Sequence, residues 1–149
     1  MAVKNISSGQ NFKAIDIGRI DELAQHEFIH PKFGTTDKAR LFVGEDLETK
    51  GSEISFREIS PGTTIHFLHK HHKHEEVYIF LKGSGQFQVH NVVFEVREGS
   101  IVKVTTEGSR SLQNNSGSPM VYLVVQALEG NLAEYNVLDG YRVDGEIKF

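Results

Sequence analysis

PGTTIHFLHKHHKHEEVYIFLKGSG, residues 61–85, decides the fold of this chain. It opens on the turn signal Pro61-Gly62 and closes on Gly83-Ser84-Gly85. Between them lie two runs rich in β-branched and aromatic residues, TIHFLH (64–69) and EVYIFLK (76–82). Such runs, bounded by Gly and Pro, predict strands. Side chains on a strand alternate between faces. An extended 66–71 therefore places Phe67, His69 and His71 on one face, and His66, Leu68, Lys70 and His72 on the other. Two imidazoles at i and i+2 project the same way and can share a metal ion. His69 and His71 are the better pair, because the large aromatic Phe67 continues their face inward. Glu76 opens the next strand, with Tyr78 and Phe80 on its face, so its carboxylate can supply a third ligand while Glu75 points outward. His72, His74 and Glu75 are expected in or beside the turn between the two strands, in contact with solvent.

The same signals recur on both sides. Runs at 53–59, 86–90, 92–96, 100–104, 110–114 and 120–127 have strand composition, and 39–43 adds one more. Turn residues separate them: Ser60-Pro61-Gly62, Glu98-Gly99, Glu107-Gly108-Ser109 and the stretch from Asn114 to Pro119. Eight or nine short strands at this spacing predict an all-β sandwich or barrel. Gly83 and Gly85 are expected to supply the unusual backbone angles of a tight connection. The ends differ. Residues 1–37 form an N-terminal extension with a short helix predicted over 20–28, opened by Asp21 and Glu22 and packing on the barrel or on a partner. Residues 38–128 are the barrel. Residues 129–149 form a C-terminal tail with turn signals at Asp139-Gly140 and Asp144-Gly145.

Composition narrows the chemistry. The chain has 149 residues, enough for one domain with a sizeable core, and 38% of them are hydrophobic. The net charge is −4, with basic residues scattered, so no nucleic-acid surface is expected. There is no cysteine, so any metal must sit on nitrogen and oxygen. MAVKNISSGQ at the start lacks the apolar run of a signal peptide, and no stretch is long enough to span a bilayer. A cytoplasmic location, away from membranes, is the expectation.

The segment 61–85 resembles the first conserved motif of the cupin superfamily, a glycine, His-x-His, a glutamate and a second glycine. Here His69-Lys70-His71 is followed by four residues, Glu76, six residues and Gly83. Gly62 lies one residue farther upstream than the strict pattern. The stretch GSIVKVTTEGSRSLQN, 99–114, resembles the second motif, with Gly99, Gly108 and Asn114 in place. Two positions depart from it: Thr105 stands for the usual proline, and Arg110 for the metal-binding histidine. The resemblance covers roughly residues 40–128. It implies a small single-domain, double-stranded β-helix barrel of the jelly-roll type with His69, His71 and Glu76 pointing inward. It also implies a homodimer paired through sheet edges, for which exposed edges are a physical reason.

Arg110 divides the functional readings. A guanidinium has donors only and cannot replace a histidine ligand. Two like unit charges about 4 Å apart cost about 4 kcal/mol at an effective dielectric of about 20, and a dication about doubles that. Three ligands can still hold zinc, iron, manganese or nickel with open positions. On one reading Arg110, with Tyr78 and Phe67, binds a small polar or anionic molecule beside such a metal. The protein is then a ligand-binding barrel or a metal-dependent enzyme. Isomerase, dioxygenase and decarboxylase chemistries all occur on similar cupins, and the sequence does not choose among them. On the other reading Arg110 pairs with Glu76, no metal is bound, and the barrel is a non-catalytic binding or sensing module.

Overall fold

The computed structural model describes residues 2–136 and 138–149. Its chain begins with two antiparallel hairpins, β1 (Lys4–Gly9) with β2 (Phe12–Asp16), and β3 (Glu27–Ile29) with β4 (Thr36–Lys38). There follow β5 (Arg40–Phe42), a single helical turn α1 (Gly44–Leu47), β6 (Ser52–Ile59), β7 (His74–Lys82) and β8 (Ser84–Val89). The remaining strands are β9 (Val92–Arg97), β10 (Ile101–Val104), β11 (Arg110–Gln113) and β12 (Met120–Leu128). Five of them make one sheet in the order β10-β7-β12-β6-β5, and three make a second, β11-β8-β9. The result is an all-β barrel of the jelly-roll type.

The strand period explains how the two sheets meet. In β7, Glu76, Tyr78 and Phe80 are buried, while Val77 and Ile79 between them are only partly covered. Tyr78 and Phe80 pack with Ile59, Val104, Tyr122 and Val124 against Phe87, Val96 and Leu112 of the second sheet. Phe87 makes edge contacts with Tyr78 at 4.9 Å and with Phe80 at 6.4 Å between ring centroids. Each such side chain contributes about 1.5–3 kcal/mol by leaving water, so this aromatic layer is the chief glue of the barrel.

Four expectations are corrected. The run 64–69 is not a regular strand. It is extended and bridges β11 only at Thr64–Gln113 and His69–Arg110. Ile65 N–H bonds Leu112 O at 3.0 Å and His69 N–H bonds Arg110 O at 3.1 Å. Four residue steps on one side thus oppose two on the other, and the surplus bulges outward around Phe67 and Leu68. The helix expected over 20–28 is a 3₁₀ turn, Ile20–Gln25, and Phe28 instead lies in β3. Only Leu23 of that turn is buried, too narrow an apolar face to sustain an α-helix. Gly83 has φ +77°, but Gly85 has no positive φ; a side chain there would meet the Gln113 carbonyl and Met120, so close packing requires that glycine. His74 and Glu75 stand beside the turn, as the first residues of β7, but are half-buried rather than solvated.

The hairpins β1–β2 and β3–β4 did not emerge from the sequence, because their short, polar strands carry little periodicity. Among the described residues of 129–149 there is no strand or helix. No helix among the described residues is long and apolar enough to cross a membrane.

Candidate functional site

A cavity of about 720 Å³ opens between the two sheets, and Phe67, His69, His71, Glu76, Tyr78 and Arg110 all line it. Parity puts the two histidines there, since His66, Leu68, Lys70 and His72 on the opposite face are exposed. Phe67 is not deep inside. At 65% exposure it stands at the mouth, where the bulge carries it away from β11, with its ring 6.0 Å from that of His69.

Glu76 is the centre of the polar floor. Its Oε1 lies 3.0 Å from His71 Nε2. Its Oε2 accepts from Tyr78 Oη at 2.5 Å, from Arg110 Nη2 at 2.5 Å and from Arg110 Nε at 3.1 Å. Arg110 Nη1 also donates to the Gly108 carbonyl at 3.0 Å. Glu76 is 7% exposed and Arg110 1%, so a charged pair is carried wholly inside the barrel. Such a pair persists only when hydrogen bonds satisfy both members, as these do.

Titration follows from this geometry. Burial alone would raise Glu76, but hydrogen bonds from His71, Tyr78 and Arg110 outweigh it and lower the carboxyl to about 2. Burial, reinforced by the Arg110 charge, lowers His69 to about 4, so its imidazole is neutral near pH 7. Burial and the neighbouring carboxylate raise the Tyr78 hydroxyl far above its ordinary value, keeping it a donor.

His69, His71 and Glu76 each offer an atom within 4.8 Å of the others, a set that could hold a metal ion. His69 Nδ1 is buried and has no hydrogen-bond partner. A neutral imidazole with an orphaned nitrogen, a second imidazole and a carboxylate are a donor set that fits a divalent ion. The carboxylate is also divided between its neighbours. Oε1 faces His71 and Oε2 faces Arg110, so an ion on the histidine side need not displace the guanidinium.

Farther along the sheet that carries Glu76, the cavity holds residues that sequence reasoning passed over. Asp37, Arg40 and Arg57 line the same cavity, with Asp37 on the β3–β4 hairpin. Asp37 Oδ2 lies 3.1 Å from Arg40 Nη1, and its Oδ1 3.1 Å from Arg57 Nη2. Three guanidinium groups against two carboxylates leave the cavity lining one positive unit. One signal could have found Arg57: it shares strand parity with Ser55 and Ile59, both buried. Nothing local marked Asp37, which reaches the cavity only through the hairpin.

A small all-β barrel with a cationic cavity and a His-His-Glu donor set defines the class. Residues 55–126 match the cupin domain family, and the chain belongs to the cupin superfamily. Its structure is similar to a cupin protein from Bacteroides fragilis, 27% identical over 76% of this chain and 97% of that one, with a TM-score of 0.66. It is also similar to a predicted oxalate decarboxylase from Thermotoga maritima, 22% identical over 76% of this chain and 99% of that one, TM-score 0.58, a likeness of fold. An uncharacterised protein of Methanocaldococcus jannaschii is 32% identical over 75 residues, 50% of this chain; the match spans 60% of that relative's length.

Proposed function

We propose that the barrel is a receptor for a small acidic molecule, held beside a divalent metal bound by His69, His71 and Glu76. The observation that carries this reading is the buried, unpartnered Nδ1 of His69 in a cavity whose charged lining is net positive. Zinc, iron, manganese and nickel all accept nitrogen and oxygen donors of this kind. When bound, the metal would supply a Lewis acid toward an oxygen of the ligand. The chain's own residues do the rest. Tyr78 and Arg110 fix the Glu76 carboxylate in one orientation and hold it ionised. Arg110 keeps donors to spare, of the five in a guanidinium, for an anionic group at the cavity floor. Phe67 flanks the entrance and Tyr78 presents its ring from the floor.

A second reading is favoured by one observation. His71, Tyr78 and Arg110 already occupy both oxygens of Glu76. On that reading the cluster is a closed ion pair, and the barrel binds its ligand without metal as a sensing module. Elemental analysis of tag-free protein, from cells grown with added zinc, iron, manganese or nickel, separates the two. About one equivalent that follows the His69 and His71 side chains supports the metal centre. No metal in any preparation leaves the closed ion pair. Thermal shift with carboxylic acids and sugar phosphates, followed by turnover assays on the hits, tells a receptor from an isomerase, dioxygenase or decarboxylase.

A further inference from the structure

Arg40 and Arg57 are direct partners across β5 and β6. Like charges placed opposite each other in an antiparallel pair repel, so the arrangement is unfavourable unless something anionic sits between them. Asp37 supplies one carboxylate for two guanidiniums, and the cluster keeps one net positive charge. Because Asp37 divides its oxygens, it contacts Arg57 through Nη2 alone. The Nε beside that Nη2 is buried with no acceptor. A buried donor left unpaired destabilises the empty site, a penalty that an incoming oxygen atom removes.

The wall around the cluster is aromatic. Phe28 and Phe42 lie 4.7 Å apart between centroids, and the Arg40 guanidinium stands 5.5 Å from the first ring and 4.8 Å from the second. That stacking fixes Arg40 over an apolar surface. Tyr122, the cross-strand partner of Arg57, is buried beside it. The cavity, at about 720 Å³, is far larger than a lone inorganic anion requires. It has an apolar flank at Phe28 and Phe42, a cationic fork at Arg40 and Arg57, and the His69–His71–Glu76 cluster, whose glutamate stands on β7 of the same sheet, two strands from β6.

We propose that Arg57 and Arg40 form an anion-binding point distinct from Arg110, which takes the carboxylate or phosphate of a ligand whose apolar body lies against Phe28 and Phe42. The inference rests on the reading of the cavity as a receptor for an acidic molecule, and it names where the acid docks. Asp37 is the resident competitor for that point. It holds the β3–β4 hairpin on the barrel and occupies part of the fork that the ligand enters.

The competition gives a test whose sign an ordinary structural ion pair does not produce. Calorimetric titrations of the full chain use phenylacetate, phenyl phosphate and the neutral phenylacetamide. The unaltered protein should bind at least one of the two acids about tenfold or more tightly than the amide, and which acid binds identifies the anion. Arg57→Gln should weaken that acid about tenfold or more, and Asp37→Asn should strengthen it. Equal binding of acid and amide, or weaker acid binding in Asp37→Asn, overturns the inference. Should Arg57→Gln fail to fold, Asp37→Asn and Arg40→Gln carry the test. Zinc titration of the same variants keeps the two ideas apart. Acid binding that depends on Arg57 in a protein that takes no zinc removes the metal from the proposed function and leaves this site standing. Acid binding that depends on Arg110 and ignores Arg57 and Asp37 does the reverse.

Discussion

Arg110 Nη2 lies 2.5 Å from Glu76 Oε2, and the two side chains are 1% and 9% exposed. One guanidinium therefore neutralises one carboxylate where water cannot. Breaking such a pair by removing one partner costs far more than the pair contributes, because the other charge stays buried. Arg110→Ala should lower stability by about 3–5 kcal/mol in denaturant titrations of metal-free protein. Arg110→His should instead raise zinc affinity, by at least about tenfold, the scale on which single partners of a metal site act. It replaces a cation by a fourth neutral donor. Calorimetric zinc titration measures this, and an unchanged affinity would mean that position 110 does not reach the ion.

The histidine run makes a sharper contrast. His69→Ala and His71→Ala should each reduce the metal content of tag-free protein to a small fraction of the unaltered level. His72→Ala and His74→Ala should leave it intact, because His72 is exposed and neither residue lines the main cavity. Elemental analysis of the four proteins side by side reads this directly. Equal losses from all four would assign the metal to an exposed loop.

Acid should weaken the metal-free fold in two stages. His69 has its folded pKa lowered from 6.5 to about 4, so between those values the unfolded chain binds the extra proton. Stability from His69 is complete above about pH 6.5 and declines as the pH falls toward 4. Glu76 is lowered from 4.5 to about 2, so its contribution holds above 4.5 and is lost between there and about 2. Denaturant midpoints of chelator-treated protein from pH 8 to 3 should therefore fall on acidification, the first decline being absent in His69→Gln. A midpoint that rises as the pH drops below 6.5 would mean that the fold does not hold His69 neutral.

Two glycines with similar backbone angles should respond differently to alanine. Gly83 has φ +77°, and a Cβ there would lie 2.5 Å from Pro119 O and 2.9 Å from Met120 Cα, backbone atoms that cannot step aside. Gly99 has φ +85° but open space around it. Gly99→Ala should cost only the left-handed backbone penalty, about 1–2 kcal/mol. Gly83→Ala should cost clearly more. Thermal unfolding of the pair checks the order, and equal losses would show that the turn after β7 relaxes freely.

Strand parity around 61–85 determined by itself which side chains share a face. His69, His71, Glu76 and Tyr78 meet in one cavity because the period of two survives from 65 to 71 even where the ladder to β11 is broken. The outlines of β6 to β12 were legible for a related reason: short runs rich in β-branched and aromatic residues stand between Gly and Pro turns, and both signals are local. The first forty residues were not. Strands of three residues such as β3 and β4 carry no measurable period, and only docking onto β5 and β6 gives them a place. Tertiary structure also decided how charge is shared. Parity turns Glu76 inward and the second-motif resemblance puts Arg110 at the site, but only the closed barrel sets one Glu76 oxygen against His71 and the other against Arg110. Only the cross-strand register of β5 and β6 sets Arg40 against Arg57, with Asp37 between them. Alternation along a strand is local and visible in a line of residues. Which charges meet across a cavity depends on sheet closure, and no single segment contains it.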